Sequence, residues 1–388
     1  MLIGGNFHLT YCTNIHPGET WNEIFYQLKK NVPAIKQKVS TDKSFGIGLR
    51  LSDIASRELS EETELKKFKR WLTENNLYVF TMNSFVFGGF HTIIVKEKVH
   101  FPDWTTQERV DYTMRMFKIL SKILPDGIEG GISTSPLSYK FWHKGEKQIK
   151  NVFKKSSENI RKVANELKKI KHKTGKILHL DIEPEPDGLI ENSDETIQFF
   201  KKYLCAEQDE IIREHIRICY DVCHFAVEYE KPEEALKKFS EAGIKIGKVQ
   251  ISSALKIILL DSSEQRKKVT AQLKPFAEST YLHQTVEWDS KNKLHHYPDL
   301  PDALANIFHS NGKEWRIHYH VPVFMKSYSE FQSTQDDITE VLQLLKKNNF
   351  TNHLETETYT WEVLPQKERQ PLNDSIVREL EWVKENMK

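Results

Sequence analysis

The chain has 388 residues, 38% of them hydrophobic and 11% aromatic, and a formal charge of +1. That is ample material for a large core, and the balance of 56 basic against 55 acidic residues lacks the basic excess of a nucleic-acid binder. Cys12, Cys205, Cys219 and Cys223 are too few for a disulfide framework and suit free thiols in a reducing cytoplasm; MLIGGNFHLTYC has no secretory pattern, and no segment reaches the ~20 apolar residues of a membrane span.

Short apolar runs alternate with amphipathic ones along the chain. NFHLTYCTN reads as the first strand, and TWNEIFYQLKKNVPAIKQKV, with apolar residues three and four apart, as the first helix. FGIGLRLS is the second strand. SEETELKKFKRWLTENN follows as a helix, with Ser60 expected as its cap and acids in its first turn. YVFTMNSFV is the third strand, and the long segment GGFHTIIVKEKVHFPDW, residues 88–104, reads as a rim loop. IEGGISTSP, ILHLDIEPE, IRICYDVCH, GKVQISSAL and HLETETYTW are strands four to eight. The lysine-rich stretch 150–176 reads as a solvated helix face. PEEALKKFSEAG opens on proline and closes on glycine, as helices prefer. Eight strands separated by helices predict an α/β fold, a (β/α)8 TIM barrel. TYLHQTVEW and WRIHYHVPVF exceed the count, so a hairpin or extra strands are expected between strands seven and eight. The expected organisation is one domain, 1–388, with rim insertions near 88–104 and 280–325.

Chemistry in such a barrel sits where the strands end. Strand five delivers Glu183 and Glu185 there, strand six Asp221 and His224, strand seven Gln250, and strand eight Glu355 and Glu357. The extra runs add His283, His318 and His320. Residues two apart share a strand face, so Asp181 and Glu183 point together, as do His318 and His320. A strand-end Asp is ordinarily a helix cap, and a strand His ordinarily a satisfied core group. The recurrence of carboxylate and imidazole on consecutive strands predicts instead one divalent metal of the Mn, Mg, Fe or Zn type. Its expected ligands are Glu183, Asp221, Gln250, His320 and Glu357. His8, Asn14, Asn83, His91, Lys96, His283 and Trp361 are the expected substrate contacts.

The order of a Glu in LDIEPEP, Asp221 and His224 in YDVCH, and Glu357 in LETETYTW resembles the xylose-isomerase-like barrels, which include sugar isomerases, epimerases and the endonuclease IV type. Such families carry His at strand seven; here VQIS carries Gln250, so either Gln250 or an inserted His completes the site. HLTYCTNIHPGETW, the 88–104 segment, HYHVPVF and ETYTWEVLP further resemble the EboE-type metabolite traffic proteins. The resemblance implies a metal-dependent isomerase or epimerase acting on a sugar-like or hydroxy-carbonyl metabolite, with Glu183, Glu357 and His224 as its catalytic groups. A non-catalytic metabolite carrier and an endonuclease IV-like phosphodiesterase are the alternatives. The expected partner is a small-molecule metabolite, with no nucleic acid or membrane, in the cytoplasm.

Overall fold

The computed structural model describes residues 1–89, 96–277, 281–328, 331–361, 364 and 366–388. Eight strands run parallel around a barrel: β1 (Phe7–Tyr11), β2 (Phe45–Arg50), β3 (Leu77–Asn83), β4 (Gly130–Thr134), β5 (Leu178–Ile182), β6 (Ile216–Asp221), β7 (Ile246–Ile251) and β8 (His353–Thr356). A two-residue strand, Leu2–Ile3, lies antiparallel on β1. β8 pairs with both β7 and β1, as a closing strand must. The seam between β1 and β2 is made differently. One parallel bridge joins Cys12 to Gly48. Thr10 Oγ1 donates to the Gly46 carbonyl at 2.8 Å and accepts from the Gly48 amide at 3.1 Å. Side-chain hydroxyls thus stand in for part of a ladder.

Apolar residues of the strands' outer face and of the surrounding helices form one continuous core. Trp21–Val39 opens on a capping box, Thr20 and Glu23 each serving the other's backbone. Ser60 does not cap the next helix. It ends the helix Asp53–Leu59, its hydroxyl bonded to the Ser56 carbonyl, because a second short helix precedes Glu62–Glu74. All four cysteines are free, and Cys12, Cys219 and Cys223 are buried. Among the described residues no helix is long and apolar enough to cross a membrane.

The barrel interior is polar. Lys248 and Glu355 are both fully buried and meet at 2.5 Å, with Lys248 also donating to Ser133 at 3.1 Å. Burial opposes the Lys248 charge, but Glu355 together with Cys219, Glu183 and Cys12 outweighs it and holds the ammonium well above its ordinary pKa. Asp181 sits below, 2.6 Å from His179 Nδ1. Glycine makes the room: a Cβ on Gly48 would lie 1.7 Å from Glu355 Oε1, and one on Gly247 would lie 1.9 Å from Asp181 Oδ1.

Between β7 and β8 lies a second, six-stranded antiparallel sheet. Its order is Leu294–Tyr297, Thr285–Asp289, Gly312–Ile317, Leu255–Ile258, Phe331–Ser333 and Ser327–Tyr328. It reaches beyond the 280–325 stretch on both sides, because the end of GKVQISSAL is already its own strand. It has a separate core, with Leu255, Ile257, Leu273, Leu300, Trp315 and Ile317.

The buried ion pair makes a direct prediction. Lys248→Met strands Glu355 without a cation and should destabilise the fold by about 3–5 kcal/mol, read from the denaturant midpoint. The double variant Lys248→Met, Glu355→Gln should recover most of that loss. Equal losses in the single and double variants would contradict the pairing.

Candidate metal centre

At the carboxyl end of the barrel, β5 runs into Glu183-Pro184-Glu185-Pro186. Prolines lack a backbone N–H and so cannot donate to a strand ladder, and here both carbonyls accept from side chains. Pro184 O accepts from His224 Nδ1 at 2.9 Å, and Pro186 O from Gln284 Nε2 at 3.0 Å. The run therefore fixes side chains from β6 and from the inserted sheet.

Asp221 ends β6 and caps the short helix Val222–Val227. Its Oδ1 accepts from the His224 amide at 3.1 Å and from Ser252 Oγ at 2.6 Å. Its buried Oδ2 has no hydrogen-bond partner, so the cap uses one oxygen and leaves the other for a ligand. Glu357 lies just beyond β8. Its two oxygens accept from Asn14 Nδ2 at 2.5 Å and Gln250 Nε2 at 2.8 Å. Gln250 Oε1, Glu183 Oε2 and Glu185 Oε2 are buried without hydrogen-bond partners. Oxygens of Glu183, Asp221 and Glu357 lie within 4.8 Å of one another. Burial, then Glu357 and Asp221, push the Glu183 pKa well above the carboxylate range.

The inserted sheet supplies the other half. His318 and His320 follow the strand Gly312–Ile317. His318 Nε2 lies 3.1 Å from His224 Nε2 and 3.2 Å from His320 Nε2. Each Nδ1 faces an acceptor: Pro184 O for His224, Gln284 Oε1 at 2.9 Å for His318, and Glu357 O at 3.0 Å for His320. Those acceptors require Nδ1–H, so in the neutral ring each Nε2 presents a lone pair. Burial holds the His318 pKa well below its ordinary value and lowers that of His224. Three lone pairs facing one another at these distances repel unless a cation lies between them. Asp221 Oδ2 joins the two halves, 3.9 Å from His224 Nε2 and 3.8 Å from His320 Nε2. The donors fit a divalent metal: an oxygen-rich seat at Glu183, Asp221 and Glu357, and a nitrogen-rich one at His224, His318 and His320.

A cavity of about 60 Å³ opens on this cluster, walled by Asn14, Asn83, Phe85, Val86, Val99 and Tyr359. Tyr359 stacks on His320 at 4.7 Å. A larger hollow of about 690 Å³ lies against the helix Pro232–Glu241 and the start of β7, at the opposite end, away from the cluster.

Of the expected substrate residues, Asn14 and Asn83 line the cavity. His8 does not: it pairs in register with His353 and bonds Tyr78 Oη at 2.8 Å, four positions and roughly 13 Å below Glu357. His283 stacks on Tyr319 at 4.0 Å behind the His318 backbone. Lys96 pairs with Asp299 at 2.5 Å. Trp361 borders a different hollow with Arg369 and Gln370. His91 lies outside the described residues. Glu185 and His318, expected at the barrel rim but not among the expected ligands, also stand in the cluster. The HYH spacing, two imidazoles on one face, was the signal for His318.

No protein-family model matches the chain, and no curated protein matches it in sequence. Solved structures do match. One is a xylose isomerase-like TIM barrel protein from Mycobacterium smegmatis in complex with magnesium, 10% identical, with TM-score 0.51 over 100% of this chain and 98% of that one. Another is a D-tagatose 3-epimerase-like protein, 10% identical, with TM-score 0.50 over 98% of this chain and 96% of that one. The fold is that of the xylose isomerase-like TIM barrels.

Asp221 serves both halves, so Asp221→Asn should reduce metal affinity by at least the roughly 10–100-fold seen for outer-shell losses. The helix cap survives on the amide oxygen, and the protein should stay folded by circular dichroism. Unchanged metal affinity in this variant would refute the assignment.

Proposed function

We propose that the protein is a metal-dependent isomerase or epimerase acting on a small sugar-like or hydroxy-carbonyl metabolite. The observation that carries this reading is the convergence of Glu183, Asp221 and Glu357 beside one small cavity, which Glu183 and Glu357 line, with buried oxygens of Glu183 and Asp221 left without hydrogen-bond partners. One divalent ion of the Mn, Mg, Fe or Zn type is proposed, held by Glu183, Asp221 and Glu357 with Gln250 Oε1 and His320 to complete its shell; when bound it would polarise a substrate carbonyl. Glu357 is fixed by Asn14 and Gln250 on both oxygens, which suits an acceptor that holds its geometry. Glu183 keeps one oxygen without such a partner and is the group proposed to take a proton from carbon and return it. His224, pinned through Nδ1, presents Nε2 to the same cavity for a substrate oxygen or the ion. Asn14 and Asn83 are proposed to orient the hydroxyls.

The resemblance of HLTYCTNIHPGETW and ETYTWEVLP to EboE-type proteins supports a place in metabolite traffic, and a carrier that binds without turnover is the neighbouring reading. The converging imidazoles favour one other: paired cations suit phosphoester hydrolysis, and the inserted sheet adds the histidines that strand ends alone lack.

Exchange in D2O separates these readings. Manganese-loaded protein is incubated with a panel of aldoses, ketoses and hydroxy-ketones, and deuterium at the carbon beside the carbonyl is followed by NMR. The wild type should exchange at least one of them. Glu183→Gln, at saturating metal, should be slower by about 10²–10⁴-fold. Binding without exchange would mean a carrier, and cleavage of bis(p-nitrophenyl) phosphate without exchange would mean a phosphodiesterase.

A further inference from the structure

Away from the barrel mouth, three elements meet at the edge of the inserted sheet. Glu191 stands in the segment after β5, Glu228 at the end of the helix Val222–Val227, and His296 in the outermost strand, Leu294–Tyr297. One ligand atom from each lies within 4.8 Å of the others. None of the three borders the cavity of the metal centre.

The three are unequally satisfied. Glu191 is tied down, Oε1 accepting from the Asp187 amide at 2.8 Å and Oε2 from Lys140 Nζ at 2.5 Å. Each of those oxygens retains a second lone pair. Glu228 is only 7% exposed, and its Oε1 has no hydrogen-bond partner. That oxygen faces His296 Nδ1 at 3.7 Å, beyond a hydrogen bond. Burial and the facing Glu191 push the Glu228 pKa well above the carboxylate range. Lys140 bonds Glu191, so Glu228 is the carboxylate left without a donor.

We propose that Glu191, Glu228 and His296 form a second divalent-cation site, for zinc or a metal of similar preference, where the inserted sheet meets the barrel. Two carboxylate oxygens and one imidazole nitrogen are a set that zinc accepts, with water completing a tetrahedron. His296 is 37% exposed and gives the ion a way in. Among the described residues its strand pairs on one side only, with Thr285–Asp289. An ion there ties this edge of the sheet to the two barrel loops that carry Glu191 and Glu228.

The test counts zinc. The full chain is stripped with chelator, given excess zinc near neutral pH, separated from free metal by gel filtration and measured by mass spectrometry. Glu228→Gln and His296→Ala should each hold about one zinc per chain fewer than the wild type. Asp221→Asn should keep that zinc and lose it only when His296→Ala is added. His296 is exposed, so its alanine variant leaves the core intact if Glu228→Gln fails to fold. Wild-type zinc content in His296→Ala would overturn the site. Wild-type content in Asp221→Asn would instead count against the barrel-mouth centre, which keeps the two failures apart.

Discussion

The constraint on which this structure turns is the burial of carboxylates inside a barrel. TIM barrels ordinarily fill that space with branched aliphatic residues. Here Asp181, Glu183, Glu185, Asp221, Glu355 and Glu357 are all buried in or at the mouth of the barrel. Each would be several kcal/mol unfavourable alone. The deeper ones are answered within the chain: Asp181 by His179, Glu355 by Lys248, with Gly48 and Gly247 leaving them space. At the rim, Glu357 is answered by two amides. Glu183, Glu185 and Asp221 each keep an oxygen with no hydrogen-bond partner. Asp181 Oδ2 and Glu355 Oε1 lack such a partner as well, but each belongs to a carboxylate whose other oxygen is held by His179 or Lys248; at the rim Glu183, Asp221 and Glu357 converge within 4.8 Å of one another, where a cation and a substrate would meet them.

The inserted sheet shares that arrangement. It brings His318 and His320 over the carboxylates, and its Gln284 sets the His318 tautomer while anchoring to Pro186. Lys96, on the loop after β3, bonds Asp299, which also accepts from the His283 amide. The barrel and its insertion thus depend on each other. The barrel rim orients the imidazoles through Pro184 and Glu357, and the insertion offers nitrogen where the strand-seven position carries only Gln250.

Much of this was legible in the residues. Alternating strands and helices implied the barrel, and ILHLDIEPE, IRICYDVCH and HLETETYTW placed carboxylates at strand ends. Some things were hidden for physical reasons. GKVQISSAL has no glycine or proline between Val249 and Leu255 to mark a break, so local pattern could not show that its end starts a new sheet. His8 lies on the barrel face of β1 but near its entry, and the depth of a side chain along a strand depends on stagger that no local pattern carries. Asp221 looked like a choice between cap and ligand, yet its two oxygens divide those tasks. The prolines of EPEP read as a turn, while their effect is to offer two carbonyls to side chains distant in sequence.

Whether the barrel mouth holds a cation decides what these buried carboxylates are for. The most direct measurement is anomalous scattering from crystals grown with manganese. A peak among Glu183, Asp221 and Glu357, with His320 and Gln250 at its margin, is the result expected. Density without a peak there, with Glu183 and Asp221 satisfied by water or by each other as protonated acids, would contradict it.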